Sequence, residues 1–310
     1  SVKSGVDSFT SDLIGNYQTK YNSIKNLLNN YKKTYHHDLN KIDAMGISAM
    51  MHGYLAFDKN DKLLVPFRTW RNTTTGKASE QLTKLFKFNI PQRWSIAHLY
   101  QAILNKEKHV NQIAYITTLA GYIHYRLTNK HEVGIGEASG IFPIDSKTLT
   151  YDQKMVDKFN NLIKDKVKWK LLDVLPKVKV AGENPTNITN EGMKFLGINL
   201  KNIKLCPCEG DAGTGMVATN SIKVNTGNVS AGTSDFAMIV TNKKLGMHEE
   251  IDMVTTPTGT PVAMVHCNNC TSDINAWVNL FSEVLKLNGV KVDQGKLFTK
   301  LFNESLKGDK

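Results

Sequence analysis

The first regular pattern along the chain is helical. Between residues 9 and 31, apolar side chains recur every three or four positions and form one face over about six turns. The apolar run at residues 42–50 is short and rich in small side chains, which predicts a strand buried on both faces. Residues 54–57 and 62–65 flank a polar turn and predict a hairpin. The chain is therefore expected to open with a long amphipathic helix followed by sheet.

The rest of the chain divides into a helical part and a part rich in glycine and threonine. Three segments have helical spacing, namely residues 76–88, 94–104 and 151–166. Residues 181–192 are polar and predict a loop. Beyond residue 204, four short runs predict strands and tight turns at residues 210–215, 228–234, 251–256 and 261–265. A helix capped at Ser272 and a final helix follow, so we expect an α/β chain with a domain boundary near residue 217.

Composition and charge limit the classes of molecule that the protein is expected to bind. The 310 residues suffice for about two domains, and 41% are hydrophobic. Lysine and arginine total 39 against 28 acidic residues, a net charge of +11, but only four of the basic residues are arginines and the lysines are scattered. Nucleic-acid binding needs a clustered basic surface, so we expect no nucleic-acid partner. No apolar run approaches the ~20 residues of a membrane span, and residues 1–10 lack a secretory signal, which predicts a cytoplasmic protein without a membrane partner.

The four cysteines form two short motifs. Cys206 and Cys208 are separated by one residue, and Cys267 and Cys270 by two. Together they would make a four-thiolate zinc site if the fold joined them, which would define a zinc-binding module. The alternative is that they pack as small hydrophobic side chains, and this is the interpretation we adopt.

Two glycine-containing segments carry the strongest chemical signal. Residues 209–215 place the carboxylate of Asp211 among glycines, which allow a substrate to approach closely. Residues 227–234 end in Gly-Thr-Ser, whose backbone N–H groups and hydroxyls can hold phosphate oxygens. The ordered pair predicts a general base beside a phosphate site.

A second group of residues suits the recognition of a sugar. Sugars need a flat apolar face and directional hydrogen bonds; Trp70 offers the first, and His52 and Asn72 offer the second. An ordinary loop histidine remains the alternative for His52. The small-residue loop at residues 134–140 contributes Glu137 and Ser139, for which substrate contact and structural packing are both open.

These motifs, taken in order, resemble the FGGY carbohydrate kinases, and most of all their xylulokinase branch. The resemblance rests on Gly-Asp-Ala-Gly at residues 210–213, Val-Ser-Ala-Gly-Thr-Ser at 229–234, Met-His-Gly at 51–53 and Trp-Arg-Asn at 70–72. It implies an α/β, actin-like ATPase (ribonuclease-H-like) fold of two domains, incomplete at both ends. Residues 1–217 would be most of the N-terminal, sugar-binding domain, and residues 218–310 the start of the C-terminal domain.

The resemblance also implies roles for individual residues. Asp211 would be the general base and a ligand of Mg²⁺, and Gly232, Thr233 and Ser234 would bind the phosphates of ATP. The sugar pocket would be lined by Met51, His52, Gly53, Trp70 and Asn72, with Glu137 and Ser139 near the cleft. The substrate would be a ketose such as xylulose.

The sequence departs from the family pattern in two ways. The family motif Trp-x-Asp-x-Arg is replaced here by Trp70-Arg71-Asn72, which leaves the identity of the sugar open. The one D-x-G-T match, at residues 211–214, comes after two hundred residues and just ahead of Gly-Thr-Ser, whereas the family's phosphate turn follows a β-rich start, so we do not interpret it as that turn; no Gly-Gly dipeptide of the adenosine motif occurs. We therefore expect an internal piece with little or no kinase activity by itself, an open sheet edge beside residues 42–50, and a homodimer as one mode of association. The alternative function is a non-catalytic sugar-binding protein on the same fold.

Overall fold

A computed structural model describes residues 17–308, apart from residues 201, 233, 244 and 268. The first described element, helix α1 (Tyr17–Tyr35), is the described part of the predicted N-terminal helix, and residues 9–16 of that prediction lie outside the described range. The remaining helices, in chain order, are α2 Gly76–Phe86, α3 Ser95–Leu104, α4 Leu119–Thr128, α5 Ile135–Ala138, α6 Gln153–Ile163, α7 Leu171–Val174, α8 Asn190–Leu196, α9 Asp211–Ala218, α10 Thr271–Leu287 and α11 Gln294–Ser305.

The strands are short, and most contain two or three residues. In chain order they are β1 Ala44–Met45, β2 Ser48–Ala49, β3 Leu55–Phe57, β4 Tyr115–Thr117, β5 Glu132–Gly134, β6 Ile144–Asp145, β7 Thr150–Tyr151, β8 Lys177–Lys179, β9 Thr186–Asn187, β10 Lys204–Leu205, β11 Glu209–Gly210, β12 Gly227–Ala231, β13 Asp235–Val240, β14 Asp252–Thr255 and β15 Pro261–Cys267. A 3-10 turn, Lys108–Gln112, follows α3.

The described residues form two compact units. The first unit contains the residues up to Gly227 together with Ile239–Met264, and the second contains Asn228–Met238 and the residues from Val265 onward. Residues Ile239–Met264 of the first unit lie in the sequence between the two segments of the second unit. No single boundary in the sequence therefore separates the two units. The boundary near residue 217 stays a prediction.

Parallel pairing in the first unit aligns the two segments that carry the site. Strand β1 pairs with β10, and β2 pairs with β11, in both cases parallel, with Ser48 opposite Glu209. Strand β10 also pairs antiparallel with β9. Because strand ends on one side of a parallel pair lie together, residues 50–53 and Asp211 emerge at the same end. Within the described residues, β1 and β2 each have one hydrogen-bonded neighbour, which leaves the other edge of each open.

Two apolar clusters support this arrangement. One joins β3 and β4 to α4 through six buried side chains: Leu55, Phe57, Phe67, Tyr115, Leu119 and Tyr122. The other is built around Leu127, Ile188, Ile203 and Leu205. Partly buried side chains from residues 42–50 pack on both clusters, so the segment leading to the site is anchored on packed core.

Residues 42–50 contain strands, as predicted, but they are not buried on both faces. The segment is two strands of two residues separated by Gly46 and Ile47, and its side chains alternate between exposed and half-buried positions. Small residues such as Ala44 and Ser48 face solvent, while Met45 and Ile47 contact the second apolar cluster. Successive side chains of a strand point to opposite faces, so this alternation is typical of a strand with only one face covered.

Two further predictions are wrong. The polar segment 181–192 is not a continuous loop, because it contains β9 and the start of α8, where the side chain of Thr189 caps the N–H of Gly192. Residues 210–215 are not a tight turn, because β11 ends at Gly210 and α9 begins at Asp211. The glycines suggested a turn, whereas Ala212 and Met216 are buried and hold the helix on the core.

Other elements agree with the patterns that predicted them. Helices α2, α3 and α6 occupy the three segments with helical spacing. At the predicted hairpin, the N–H of Leu64 donates to the carbonyl of Ala56, and the N–H of Asp58 donates to the carbonyl of Lys62. The strand that pairs with β3 along its whole length is β4. The antiparallel pair β14 and β15 occupies the segments predicted as strands at 251–256 and 261–265.

The second unit contains the Gly-Thr-Ser segment and the C-terminal helices. Strand β12 neighbours β13, and α10 begins beside Gly232, whose carbonyl oxygen accepts hydrogen bonds from the N–H (3.0 Å) and hydroxyl (2.6 Å) of Thr271. The residue that precedes α10 is Cys270, so Ser272 lies inside the helix rather than at its cap. Among the helices of the described residues, none combines the length and hydropathy that crossing a bilayer requires.

Candidate active site

Asp211 stands at the corner between β11 and α9. Its Oδ1 accepts the N–H of Met51 (3.2 Å) and that of Ala212 (3.0 Å), while the residue itself is exposed. The hydroxyl of Thr214, one turn along α9, bonds the Ser48 hydroxyl at 2.7 Å and ties the helix to β2. The carboxylate is thus fixed by backbone donors on one side and open on the other, as a base that reaches an incoming hydroxyl must be.

The Met-His-Gly segment forms a sharp turn next to Asp211. His52 has φ +69° and Gly53 has φ +92°, both in the left-handed region, and His52 is buried. The imidazole stacks on Trp94 with ring centroids 6.2 Å apart, and its Nδ1 lies 3.2 Å from the carbonyl oxygen of Gly140. A side chain at Gly140 would lie 2.5 Å from that nitrogen, so a glycine there is what admits the ring.

The loop at residues 134–140 packs against the strand that leads to Asp211. Glu209, the residue two places before Asp211, accepts the N–H of Glu137 (2.8 Å) and that of Gly136 (3.3 Å). Burial raises the pKa of Glu209 to about 8, against the effect of these two hydrogen bonds, which favour the charged form. The site is therefore backed by a buried carboxyl that holds its proton more tightly than an exposed one.

Glu137 is fully buried. Neither carboxylate oxygen has a hydrogen-bond partner among the described residues, although the Thr118 side chain lies near enough to favour the charged form. Burial, with Glu209 and Asp211 nearby, raises its pKa well above the ordinary value. Substrate contact by Glu137 stays a prediction.

Ser139 takes part in the packing of the same loop. Its hydroxyl donates to the carbonyl of Gly136 (2.6 Å) and accepts the N–H of Thr255 (3.0 Å) from β14. The Thr255 hydroxyl in turn donates to the carbonyl of Ile135 (3.1 Å). These bonds fasten α5 to β14, which favours the structural interpretation of Ser139.

Trp70 and Asn72 lie on the segment that follows β3. Trp70 is half-buried, with the guanidinium of Arg71 over its ring at 5.0 Å. Asn72 is buried, and its Oδ1 accepts the N–H (3.0 Å) and the hydroxyl (2.6 Å) of Thr74. The amide oxygen of Asn72 thus shapes a turn, and the contribution of both residues to a sugar pocket stays a prediction.

The predicted phosphate turn belongs to the second unit. Gly232 is exposed and donates its N–H to the carbonyl of Ser234 at 2.9 Å. Thr233 lies outside the described residues. Phosphate binding by this turn stays a prediction.

The described residues offer limited means of holding a metal ion. No group of three or more His, Cys, Asp or Glu side chains among them converges on one point. Of the cysteines, Cys208 is buried beside the carbonyl of Glu132, and burial raises its pKa well above the ordinary value. This does not favour a zinc module. A lone exposed carboxylate such as Asp211 does fit Mg²⁺, which commonly takes one or two carboxylates plus substrate phosphates.

Glu209 is the functional candidate that sequence reasoning missed. Asp211 drew attention because glycines surround it, whereas Glu209 begins a two-residue strand and has no distinctive spacing. The one signal in the sequence was its place at the start of residues 209–215, the segment that predicted a carboxylate among glycines.

Comparison with known proteins assigns the fold. A "xyloylose kinase" from Brucella ovis has a similar structure, with a TM-score of 0.68 and 15% sequence identity over 86% of this chain and 53% of that one. A gluconate kinase from Lactobacillus acidophilus matches with a TM-score of 0.66 and 21% identity over 79% of this chain and 49% of that one. The molecule is thus a two-domain α/β protein with an actin-like ATPase fold.

Sequence comparison assigns the family. The pattern of the FGGY family of carbohydrate kinases, N-terminal domain, matches residues 12–218, and that of its C-terminal domain matches residues 227–308. The chain therefore belongs to the FGGY family of carbohydrate kinases. A xylulose kinase from Haemophilus influenzae is 26% identical over 224 residues, which are 69% of this chain and 44% of that protein. The chain spans about half the length of these relatives.

Proposed function

We propose that this chain takes part in the ATP- and Mg²⁺-dependent phosphorylation of a sugar, with a ketose such as xylulose as the substrate. The observation that carries the proposal is the Asp211 corner, where one exposed carboxylate is fixed by the N–H of Met51 next to the buried His52 turn. Phosphoryl transfer asks the protein for a positioned alcohol, a carboxylate to receive its proton, and donors around the transferring charge.

Asp211 has the arrangement that the base requires. Its Oδ1 is held by two N–H donors, and its exposure leaves room for a sugar hydroxyl at the other oxygen. When bound, Mg²⁺ would neutralise charge on the nucleotide phosphates, and Asp211 is the side chain that would face it. His52, Gly53, Trp70 and Asn72 would orient the sugar, while Gly232, Thr233 and Ser234 would bind phosphate.

We also propose that the chain by itself turns over slowly. No Gly-Gly motif occurs in the 310 residues, and the one D-x-G-T match, at residues 211–214, is the segment that we assign to the base rather than to the first phosphate turn. Misplacement of reacting groups by ~1 Å costs on the order of 10²-fold in rate, so an incomplete phosphate site should cost far more. A non-catalytic sugar-binding protein is the second candidate, favoured by Asn72 standing where the family has Asp.

Single-turnover transfer from γ-labelled ATP to xylulose, with the protein in excess, separates the two candidates. We expect labelled sugar phosphate to form well below the ~1–100 s⁻¹ that is usual for kinases. Asp211→Asn should lower that rate by a further ~10²–10⁴-fold, the usual contribution of a general base, while calorimetry shows nearly unchanged sugar binding.

The outcomes of this assay are distinct. Transfer by Asp211→Asn within threefold of the wild-type rate would remove Asp211 from the mechanism. Sugar binding with no labelled product at any time would favour the binding protein. Turnover at an ordinary kinase rate would contradict the slow-transfer proposal.

The remaining proposals concern location and assembly. We propose a cytoplasmic protein whose ligands are small molecules and which binds neither nucleic acid nor membrane. The open edges of β1 and β2 favour association with a second copy. Sedimentation over a tenfold concentration range tests the homodimer, which requires a mass above that of one chain, 34.6 kDa, at the highest concentration; the mass of a single chain throughout would contradict it.

A further inference from the structure

A surface cavity of about 660 Å³ lies in the first unit, between the end of α3 and the turn that follows α6. Its volume is typical of sites that bind small molecules. None of the described residues assigned above to the base, to the sugar or to the phosphates of ATP lines it. The cavity is therefore separate from the proposed kinase site.

Packing between α3 and α6 fixes the two sides of the cavity. The ring of Tyr100, in α3, meets the ring of Phe159, in α6, edge-on with centroids 5.9 Å apart. The ammonium of Lys166, in the turn after α6, lies 5.5 Å from the centroid of the same Tyr100 ring. The turn that carries Lys166 is thus held on the helix that forms the opposite side.

The end of α3 places a lysine where glycine is usual. The N–H of Lys106 donates to the carbonyl of Ile103 (3.1 Å) and that of Glu107 to the carbonyl of Ala102 (3.0 Å), which is the Schellman arrangement of hydrogen bonds. Lys106 is the left-handed residue of this motif, with φ +52°. Its β-carbon is strained in that conformation, so Lys106 lowers stability relative to glycine and supplies an ammonium that glycine would not.

Three lysines from two separate segments of the sequence meet at this cavity. Lys106 and Lys108 come from the segment after α3, Lys166 comes from the turn after α6, and all three are exposed. None of them belongs to an ion pair within the part of the chain that the structure describes. The lysines look scattered in the sequence, but the fold gathers these three into one cluster.

Little negative charge offsets these ammonium groups. Two acidic side chains are among the described residues that line the cavity, and Glu107 is paired with Arg68, which balances its charge. The carboxylate of Asp165 still leaves an excess of positive charge in the lining. A phosphate monoester carries a charge of about −1.5 to −2 at pH 7, whereas a carboxylate carries one negative charge, so the excess suits a phosphate better.

Part of the cavity wall is apolar. Ile103 and Val110 are buried, Leu104 is half-buried, and all three line the cavity. A phosphate ion alone would leave this wall in contact with water, whereas an apolar group attached to the phosphate would cover it. The described lining residues include no arginine, the side chain best suited to nucleic-acid phosphates, so a small molecule fits better than a nucleic acid.

We propose that this cavity binds a small phosphate monoester with an apolar organic part. The three lysines hold the phosphate, and the apolar wall made by Ile103, Leu104 and Val110 contacts the organic part. The proposal does not depend on the proposed kinase function, because no residue of the Asp211 corner takes part in it.

Carbon-13 NMR of the intact chain with phenyl phosphate tests the site, because this probe has both chemical features and is not a nucleotide. With isoleucine labelled at the δ1-methyl group, the Ile103 resonance is assigned with Ile103→Val. We expect it to shift as phenyl phosphate is added, while the methyl of Ile116, buried in β4, does not shift. Phenol and inorganic phosphate each have one of the two features and should bind about tenfold more weakly.

Substitutions at the cavity should change the affinity for phenyl phosphate in two directions, measured by titration calorimetry at low salt. Lys106→Asn combined with Lys166→Gln should weaken binding on the order of tenfold, and the protein should fold, because asparagine tolerates the left-handed backbone at position 106. Asp165→Asn removes the opposing carboxylate and should strengthen binding about threefold. Lys59→Gln combined with Lys84→Gln removes two exposed lysines outside the cavity and should match the wild type.

Three results would overturn the proposal. The first is that millimolar phenyl phosphate produces neither heat of binding nor a shift of the Ile103 methyl. The second is binding heat with an unshifted Ile103 methyl, which would mean that the probe binds elsewhere. The third is an equal loss of affinity in the two double-lysine variants, which would mean that the probe responds to net charge alone. If the cavity double variant does not fold, the Ile103 methyl and Asp165→Asn decide.

Discussion

At the scale of single residues, the geometry of the candidate site depends on the hydrogen bonds that each polar atom makes. Asp211 uses one carboxylate oxygen for two N–H donors, and His52 directs Nδ1 at the carbonyl of Gly140. The amide oxygen of Asn72 accepts hydrogen bonds from Thr74, which a charged aspartate could also do, so Asn in place of the family's Asp changes the charge at this position without requiring a new backbone turn.

Trp70 is the residue whose role in sugar binding can be tested most simply. Replacing Trp70 by Ala removes the apolar face proposed to stack on the sugar, so we expect sugar affinity to fall about tenfold with ATP affinity unchanged. Calorimetric titration of each ligand measures this. Trp169, half-buried and donating its Nε1–H to the carbonyl of Val110, provides the matched control, since Trp169→Ala should change neither affinity. Equal losses for both ligands in Trp70→Ala would show that Trp70 is a core residue.

At the scale of elements, the sequence predicted long amphipathic helices well and short strands poorly. Helices α2, α3 and α6 have enough turns for their spacing to be recognised, whereas β1, β2 and β11 are set by pairing with partners about 160 residues away. Helix α9 was missed because its glycines suggest a turn. The pairing of Glu209 with α5 was missed because no local pattern links positions 72 and 73 residues apart.

Glycines in two helices give a prediction about packing. A side chain at Gly213 in α9 would meet Pro257 at 3.4 Å, an ordinary contact, whereas one at Gly192 in α8 would lie 2.2 Å from the carbonyl oxygen of Leu127. We therefore expect Gly213→Ala to raise the free energy of unfolding by about 0.5–1 kcal/mol and Gly192→Ala to lower it by about 1–3 kcal/mol. Urea denaturation measures both. A destabilising Gly213→Ala would mean that α9 needs glycine for its backbone.

Glu209, in strand β11, gives a prediction about how the free energy of unfolding depends on pH. Because the pKa of Glu209 is raised from 4.5 to about 8, its contribution to stability is fully present below pH 4.5 and is lost as pH rises through about 8. The Gln side chain of Glu209→Gln cannot titrate. Between pH 5 and 9 the free energy of unfolding of this variant should therefore fall less than that of the wild type, by on the order of 2–4 kcal/mol. Urea midpoints across that range measure the difference, with Glu80→Gln expected to follow the wild type. Parallel curves for Glu209→Gln and wild type would contradict the shift.

At the scale of the whole molecule, the resemblance to FGGY kinases is confirmed by the family patterns over residues 12–218 and 227–308. The fold class follows from solved structures that share little sequence with this chain, so it rests on backbone geometry rather than on residue identity. Those relatives include a kinase of gluconate as well as kinases of xylulose, which is why sugar identity cannot be taken from the fold.

Titration calorimetry of xylulose binding to the intact chain, on wild type and His52→Asn, decides whether the His52 turn beside Asp211 is a sugar site. Asparagine tolerates the left-handed backbone at position 52, so this variant removes the imidazole with little strain. We expect the wild type to bind xylulose and His52→Asn to bind it about tenfold more weakly, the cost of one lost hydrogen bond. Equal affinity in the two proteins, or no binding of any ketose by the wild type, would contradict the proposed sugar site.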